Sequence, residues 1–390
     1  DLLLGLSPKD FDVATNALPL EVKALFRRSR IIGRRFQIVH VQFSREVIEV
    51  TTFRSNKKSN SNEQLKNTDS RQKTDSGLLM RDNVFGTLEE DAARRDLTVN
   101  ALYYDPSKEI IYDFADGMKD IENRVIRIIG NASTRYSEDP VRLLRVIRFS
   151  AKLDFTIETG TAKPIRKLSS DLRYISSPRL FDESLKLFMS GEGLSSYKLL
   201  KEYGLFEYIV PQAKNLVRNK SINADSLFKQ AFLNTDNRIK SSQRVTPAFI
   251  YAALLWPSLV KLTEAFKEKG NSTSYSLNKA ASEVISRQIS ITAIPKRFTI
   301  PMREIWDLQL QMPRRGGKRA ERLSLHRRFR AGYDFILLRE QAGENLDNLG
   351  EWWTLYQEAS IEGREKMSQN ASKTSKRIIK NRKSKTKNAK

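Results

Sequence analysis

Residues 138–149 read EDPVRLLRVIRF, and at this stretch the chain changes character. Val141, Leu144, Ile147 and Phe149 are interleaved with Arg142, Arg145 and Arg148, a spacing that predicts a helix. Pro140 suits a first helical position and Asp139 can cap the start. Steps of three set the three guanidiniums on one slowly turning stripe, where they repel one another unless an anion lies between them. A triphosphate or an RNA backbone would supply that anion; carboxylates of an ion-paired structural helix would do so equally. Downstream, 179–189 (RLFDESLKLFM) and 196–206 (SYKLLKEYGLF) keep the helical pattern. Upstream the pattern is that of strands: 31–43 (IIGRRFQIVHVQF) and 47–53 (VIEVTTF) form a β-hairpin, and 10–13 (DFDV) adds a strand to its sheet. The fold class expected is α+β, a head with a mixed β-sheet followed by an all-helical neck and body. Boundaries are expected near 132, 200, 300 and 360, giving a head (1–132), a neck (133–200), a body (201–300), a basic C-terminal region (301–360) and a disordered basic tail (361–390). Residues 55–76 hold one large apolar side chain, Leu65, and are expected to be a mobile loop, because so little burial cannot offset the entropy of ordering.

Composition narrows the partners. Lys and Arg number 69 against 46 Asp and Glu, a formal charge of +23, so a polyanion is the natural ligand: basic side chains that meet phosphates release condensed counterions. RNA, DNA and acidic membrane surfaces all satisfy that condition. Without Cys there are no disulfides or thiolate metal sites, which fits a reducing cytoplasm, and His40 and His326 are too few for an imidazole cage. Apolar runs such as 249–256 fall short of the roughly 20 residues of a membrane helix. Residues 371–390 carry nine basic residues and no acidic one, a solvated charge run or a nonspecific RNA contact.

Several acids stand out. On a strand, Asp10 and Asp12 share one face while Phe11 and Val13 take the other. Two hard oxygen donors side by side suit Mg²⁺, although two solvated acids at a strand end would look the same. Glu49 shares its face with Val47, Thr51 and Phe53 and is a candidate third carboxylate, or an edge-strand acid facing water. In 89–100 (EEDAARRDLTVN), Asp96 lies beside Arg94 and Arg95.

Taken in order, LLGLSPKDFDVAT, IEVTTFR, EEDAARRDLTVNAL, DFADGMKDIENRVIRIIG and RYSEDPVRLLRVIRF resemble the bacterial poly(A) polymerase and CCA-adding enzyme family, of the DNA polymerase beta superfamily. Residues 34–40 (RRFQIVH), 179–189 and 313–353 look like its poly(A) polymerase branch, extending the resemblance over most of 1–357. The resemblance implies a polymerase-beta-like nucleotidyltransferase head. It implies that Asp10 and Asp12 are catalytic, metal-binding carboxylates, with Glu49 at the position of a third ligand. Asp96 matches the acid of the Arg-Arg-Asp motif, an active-site or ribose contact, and Arg95 a nucleotide contact. Asp139 and Arg142 match the base-reading pair, with Arg145 and Arg148 following toward the nucleotide. Arg327, Arg328 and Arg330 fall in a basic region where RNA contact by phosphates and stacking is expected. His40 is expected to pack within the sheet.

The implied reaction adds AMP from ATP to RNA 3′ ends, with Mg²⁺ or Mn²⁺, marking transcripts for decay in the cytoplasm. A carboxylate that accepts from an exocyclic amine, beside an arginine that donates to the adjacent ring nitrogen, selects adenine or cytosine over guanine or uracil. That pair does not separate a poly(A) polymerase from a CCA-adding enzyme. The family pattern also has a Gly-rich turn and an Arg before the position of Asp1, and this sequence begins after them; the expectation is an N-terminal fragment, the alternative a degenerate RNA-binding copy.

Overall fold

The structure, a computed structural model, describes residues 2–5, 7–8, 11–33, 37–55, 72–73, 79–81, 85–214, 216 and 224–373. Asp10, most of the loop expected at 55–76 and the tail beyond 373 lie outside the described residues. The chain divides after Leu172 into two compact units.

The first unit opens with a four-stranded sheet in the order β1-β4-β3-β2, formed by β1 (Asp12–Thr15), β2 (Ser29–Ile32), β3 (Ile38–Phe43) and β4 (Glu46–Thr52). The expected hairpin is present as β3–β4, turning at Ser44, whose φ of 53° is left-handed. The stretch from 31 to 43 is broken, however, into two strands that pair antiparallel, Ile31 with Val39. Alternation decides which face is buried: Val39, Val41 and Val50 pack with Val22 of α1 (Pro19–Leu25), while Glu49 is left on the opposite face. β1 joins parallel to β4, a pairing across 37 residues of sequence that hairpin geometry cannot supply. Short pairs follow: β5 (Gln72–Lys73) with β6 (Leu79–Arg81), β7 (Leu102–Asp105) with β8 (Ile110–Asp113), and β9 (Val125–Ile126) parallel to β10 (Thr156–Ile157).

Helices α2 (Leu88–Arg94), α3 (Gly117–Glu122), α4 (Ala132–Glu138), α5 (Val141–Leu153), α6 (Thr159–Ala162) and α7 (Ile165–Leu168) complete the unit. Thr87 and Glu90 form a capping box at the start of α2. The DFADG turn is organised by Asp113, whose carboxylate accepts from the backbone N–H groups of Ala115, Gly117 and Met118. Burial would raise the Asp113 pKa, but these three donors hold it below its ordinary value. Gly117 is required by close approach: a Cβ there would lie 2.4 Å from the Thr98 carbonyl oxygen.

The second unit is helical, as expected: α8 (Ser177–Phe188), α9 (Gly193–Glu202), α10 (Phe206–Ile209), α11 (Ala224–Lys240), α12 (Pro247–Glu268), α13 (Thr273–Ile289), α14 (Lys296–Gln311), α15 (Lys318–Ser324), α16 (Phe329–Gln341) and α17 (Leu349–Glu358). Its core is aromatic, and the buried indoles keep their hydrogen bonds: Trp306 donates to the Ala252 carbonyl and Trp353 to that of Met312. α12 is long and apolar enough to span a membrane by composition, exceeding the short run read from sequence, but its apolar residues from Ile250 to Leu259 are buried inside this unit. Residues 361–373, expected within a disordered tail, are helical. Met367 packs on the Trp353–Tyr356 cluster and Arg364 donates to the Tyr356 carbonyl, contacts that a reading by charge does not foresee.

Candidate active site

Parallel pairing of β1 with β4 sets Asp12 directly opposite Glu49. Register partners project to the same face, so two carboxylates drawn from distant sequence meet at one edge of the sheet. Across the other ladder Glu49 faces His40, whose Nε2 lies 3.1 Å from the Glu49 carboxylate. His40 therefore does more than pack: it holds the acid that the sheet brings beside Asp12. Oxygen donors of this kind fit a hard divalent ion. Among the described residues no three potential ligands converge, and Asp10 lies outside them.

Asp96 is held by backbone and by charge. The Leu97 side of the Arg-Arg-Asp motif runs beside residues 127–129: Thr98 N–H donates to the Arg127 carbonyl and Ile129 N–H to that of Asp96. Its side chain is 12% exposed; Oδ1 accepts from the Leu97 N–H and Oδ2 pairs with Arg145 of α5. Burial alone would raise this carboxyl's pKa, and the Arg145 guanidinium outweighs it, holding the acid below its ordinary range.

The three arginines of α5 do not face solvent together. Arg142 is buried, donating to the Arg135 carbonyl at 2.7 Å and pairing with Glu138 at 3.3 Å. Arg145 pairs with Asp96, and the Arg148 guanidinium lies 4.7 Å from the Phe149 ring centroid. At Arg142 and Arg145, protein carboxylates thus occupy the place of the anion that the stripe demands. Pro140 takes the cap position rather than the first turn of α5, and Asp139 just before it accepts from the Val141 N–H.

Arg95 is committed within the unit. Its guanidinium contacts Asp91 and the Asn100 carbonyl, donates to the Tyr103 hydroxyl at 2.7 Å and lies over the Tyr103 ring. Asp91 is the hub here, taking the Tyr103 O–H at 2.5 Å and the Arg54 N–H at 3.1 Å. Burial, and then this carboxylate, push the Tyr103 pKa well above ordinary. Sequence reading passed over Asp91, although its steps of three and four to Arg94 and Arg95 are the signal of a helix ion pair. It also passed over Arg135, which donates to the carbonyls of Arg94 and Arg95 and reaches Glu138, so that it ties the Arg-Arg-Asp segment to α4. Burial, with Arg142 beside it, lowers the Arg135 pKa to about 10.

In the second unit, Arg327 and Arg328 share Glu304, while Arg330 and Arg238 share Asp334. Burial raises the Glu304 pKa, but the two guanidiniums lower it further, so the net displacement is downward. The four arginines and Asp334 line a cavity of about 410 Å³.

Comparison with known proteins agrees with the motifs. Residues 1–127 match the family model of the poly A polymerase head domain, 154–216 that of the probable RNA- and SrmB-binding site of polymerase A, and 269–389 that of the polymerase A arginine-rich C-terminus. The chain is 44% identical over 364 residues to poly(A) polymerase I of Salmonella typhi, covering 92% of this chain and 77% of that protein. It is 43% identical over 376 residues to poly(A) polymerase I of Haemophilus influenzae, covering 95% and 81%. Its structure is similar to that of the Bacillus stearothermophilus CCA-adding enzyme in complex with CTP, with a TM-score of 0.53 at 22% identity over 96% of this chain and 76% of that one, a likeness of fold alone. Three family models met in order, with 44% identity carried through 92% of the chain, establish that it belongs to the poly(A) polymerase family.

Proposed function

We propose that this chain is a template-independent polynucleotide adenylyltransferase that joins AMP from ATP to RNA 3′ ends and releases pyrophosphate. The observation that carries the choice is the reach of the likeness: it runs past the head through the arginine-rich C-terminal region, over 92% of the chain, to a poly(A) polymerase I. The carboxylate pair supports the chemistry. Asp12 and Glu49, with Asp10 preceding them in sequence, are the residues that would hold Mg²⁺ or Mn²⁺. A divalent ion there supplies charge neutralisation at the triphosphate and acidifies the RNA 3′-hydroxyl.

The chain's own side chains orient the nucleotide. Asp139 and Arg142 would read the base, and Arg142, fixed by the Arg135 carbonyl and Glu138 through Nη1, keeps Nη2 for a ring nitrogen. Arg145 and Arg148 would meet phosphate or ribose. A substrate anion that takes Arg145 releases Oδ2 of Asp96 to accept a ribose hydroxyl, which gives the Asp96–Arg145 pair a role as a switchable contact. Arg95 serves this site by bracing the motif through Asp91 and Tyr103. Arg327, Arg328 and Arg330 would contact the RNA strand, and the natural setting is cytoplasmic, on transcripts destined for decay. The division into head, neck, body and basic region belongs to the same proposal.

The test is extension of a labelled oligo(A) primer with magnesium and each NTP singly. A long ladder with ATP alone is expected. Addition limited to C, C and A on tRNA would reassign the chain to CCA synthesis, and no extension with any NTP would leave an RNA-binding protein without transferase activity.

A further inference from the structure

The cavity of about 410 Å³ in the second unit is large enough for a small ligand and is lined by three kinds of group. Five guanidiniums face or flank it: Arg238, Arg244, Arg327, Arg328 and Arg330. They pair with two carboxylates, Asp334 and Glu304, each shared by two arginines, and Arg244 has no ion-pair partner among the described residues. A purely structural network would balance its charges; this one is left cationic and calls for an anion. Its walls also include Phe249, Val245 and Leu337, an apolar surface that an inorganic anion alone would not use. The lining also holds the amides of Asn234, Asn237 and Gln341; Asn234 donates to Gln341 Oε1 and accepts from Gln230, both at 2.8 Å, which leaves the Gln341 NH₂ and the Asn237 amide to meet a base. Asn and Gln amides complement the amine-plus-acceptor edge of adenine. An anion, a flat apolar body and an amine-plus-acceptor edge are together the chemistry of a nucleotide.

We propose that this cavity seats one nucleotide of the RNA strand, its base against Phe249 and its phosphate at Arg238 and Arg244. The proposal rests on the reading of RNA as substrate and adds to it a discrete, base-dependent contact. Asn234, Asn237, Arg238, Arg244 and Phe249 lie between the regions matched by the RNA-binding and arginine-rich family models, at 154–216 and 269–389. Neither of those models accounts for them. The location also explains why α11 and the connection to α12 carry exposed basic and amide side chains over an apolar wall.

The experiment uses the full chain and a set of oligo(A) primers, each with one abasic ribose at a successive position, with affinity read by fluorescence anisotropy across a salt series. Stacking of a base on an aromatic ring predicts a loss of roughly tenfold at one or two positions and little elsewhere. Phe249→Leu should flatten that dip. Arg244→Gln, at an exposed residue without an ion pair, should weaken binding to every primer and reduce the salt slope by about one. A flat abasic profile in the wild type overturns the proposal, as does a dip that survives Phe249→Leu in a variant with unchanged melting. An unchanged salt slope in Arg244→Gln overturns the phosphate assignment. A flat profile combined with AMP binding that is lost in Phe249→Leu would assign the cavity to a free nucleotide and overturn the RNA strand as its source; competition by polyglutamate as strong as by oligo(A) would assign it to an acidic protein. Incorporation of ATP at saturating primer is followed in parallel: its absence sinks the transferase reading, whereas incorporation with a flat abasic profile sinks this inference alone.

Discussion

Replacing Arg145 by Met should convert a satisfied carboxylate into an uncompensated one. Asp96 is 12% exposed, and Arg145 is the side chain that neutralises it. Removing one partner of a fully buried pair costs about 3–5 kcal/mol, because the remaining charge stays out of water. Arg145 itself is 33% exposed, so water screens the pair and the loss should be nearer about 2 kcal/mol. For a folding unit of this size that is a fall in Tm of roughly 4–8 °C. The pH dependence follows from the sign of the shift. The folded-state pKa of Asp96 is depressed, so its contribution to stability is present above the unfolded value near 3.8 and is lost as pH falls through the depressed value. In Arg145→Met burial is opposed only by the Leu97 N–H and the more distant Arg142, so the pKa moves up; the variant then gains by protonating as the solution is acidified. The Tm gap between wild type and variant should therefore be widest at neutral pH and narrow toward the ordinary carboxylate range. Adding Asp96→Asn to Arg145→Met removes the buried charge and should recover part of the loss, with a coupling of about 1–2 kcal/mol in a double-mutant cycle read by calorimetry. Additivity of the two substitutions within about 0.5 kcal/mol would refute the reasoning, as would a Tm gap independent of pH.

Asp12→Ala should lower ATP incorporation by about a hundredfold or more while RNA affinity, carried by basic surfaces elsewhere, holds steady; a gel-shift titration beside the primer-extension assay separates the two, and undiminished incorporation would remove Asp12 from the metal site. Arg135→Lys cannot span the Arg94 and Arg95 carbonyls and Glu138 with one ammonium group, so kcat should drop by on the order of tenfold with little change in KM for the primer, and a wild-type kcat would show that the Arg-Arg-Asp segment is aligned without it. Gly117→Ala forces a methyl to 2.4 Å from the Thr98 carbonyl oxygen and should cost about 1–3 kcal/mol; melting unchanged from wild type would mean that the turn relaxes freely.

Much of this protein was legible before its structure. The change from strand alternation to helical spacing near Ser137 gave the α+β order, and the aspartates at 10 and 12, the Arg-Arg-Asp triplet and the arginine stripe singled out the residues of the proposed site, because each is a local pattern with a fixed period or spacing. What spacing could not supply was partnership. That Glu49 comes to lie beside Asp12 follows from a parallel pairing over 37 residues, and no periodicity encodes which strand will be the neighbour. Likewise the stripe of three arginines predicts the need for an anion but not its source; Glu138 was in reach on the preceding turn, whereas Asp96, 49 residues before Arg145, is brought there by packing of the motif against residues 127–129. The helical state of 361–373 also escaped a reading by charge, since the contact of Met367 with the Trp353 cluster exists only once the helices of that unit have assembled. Composition and period are properties of a segment, and they fix what it can become; register and ion pairing are properties of two segments at once, and they are settled by which arrangement buries the most apolar surface without stranding a charge.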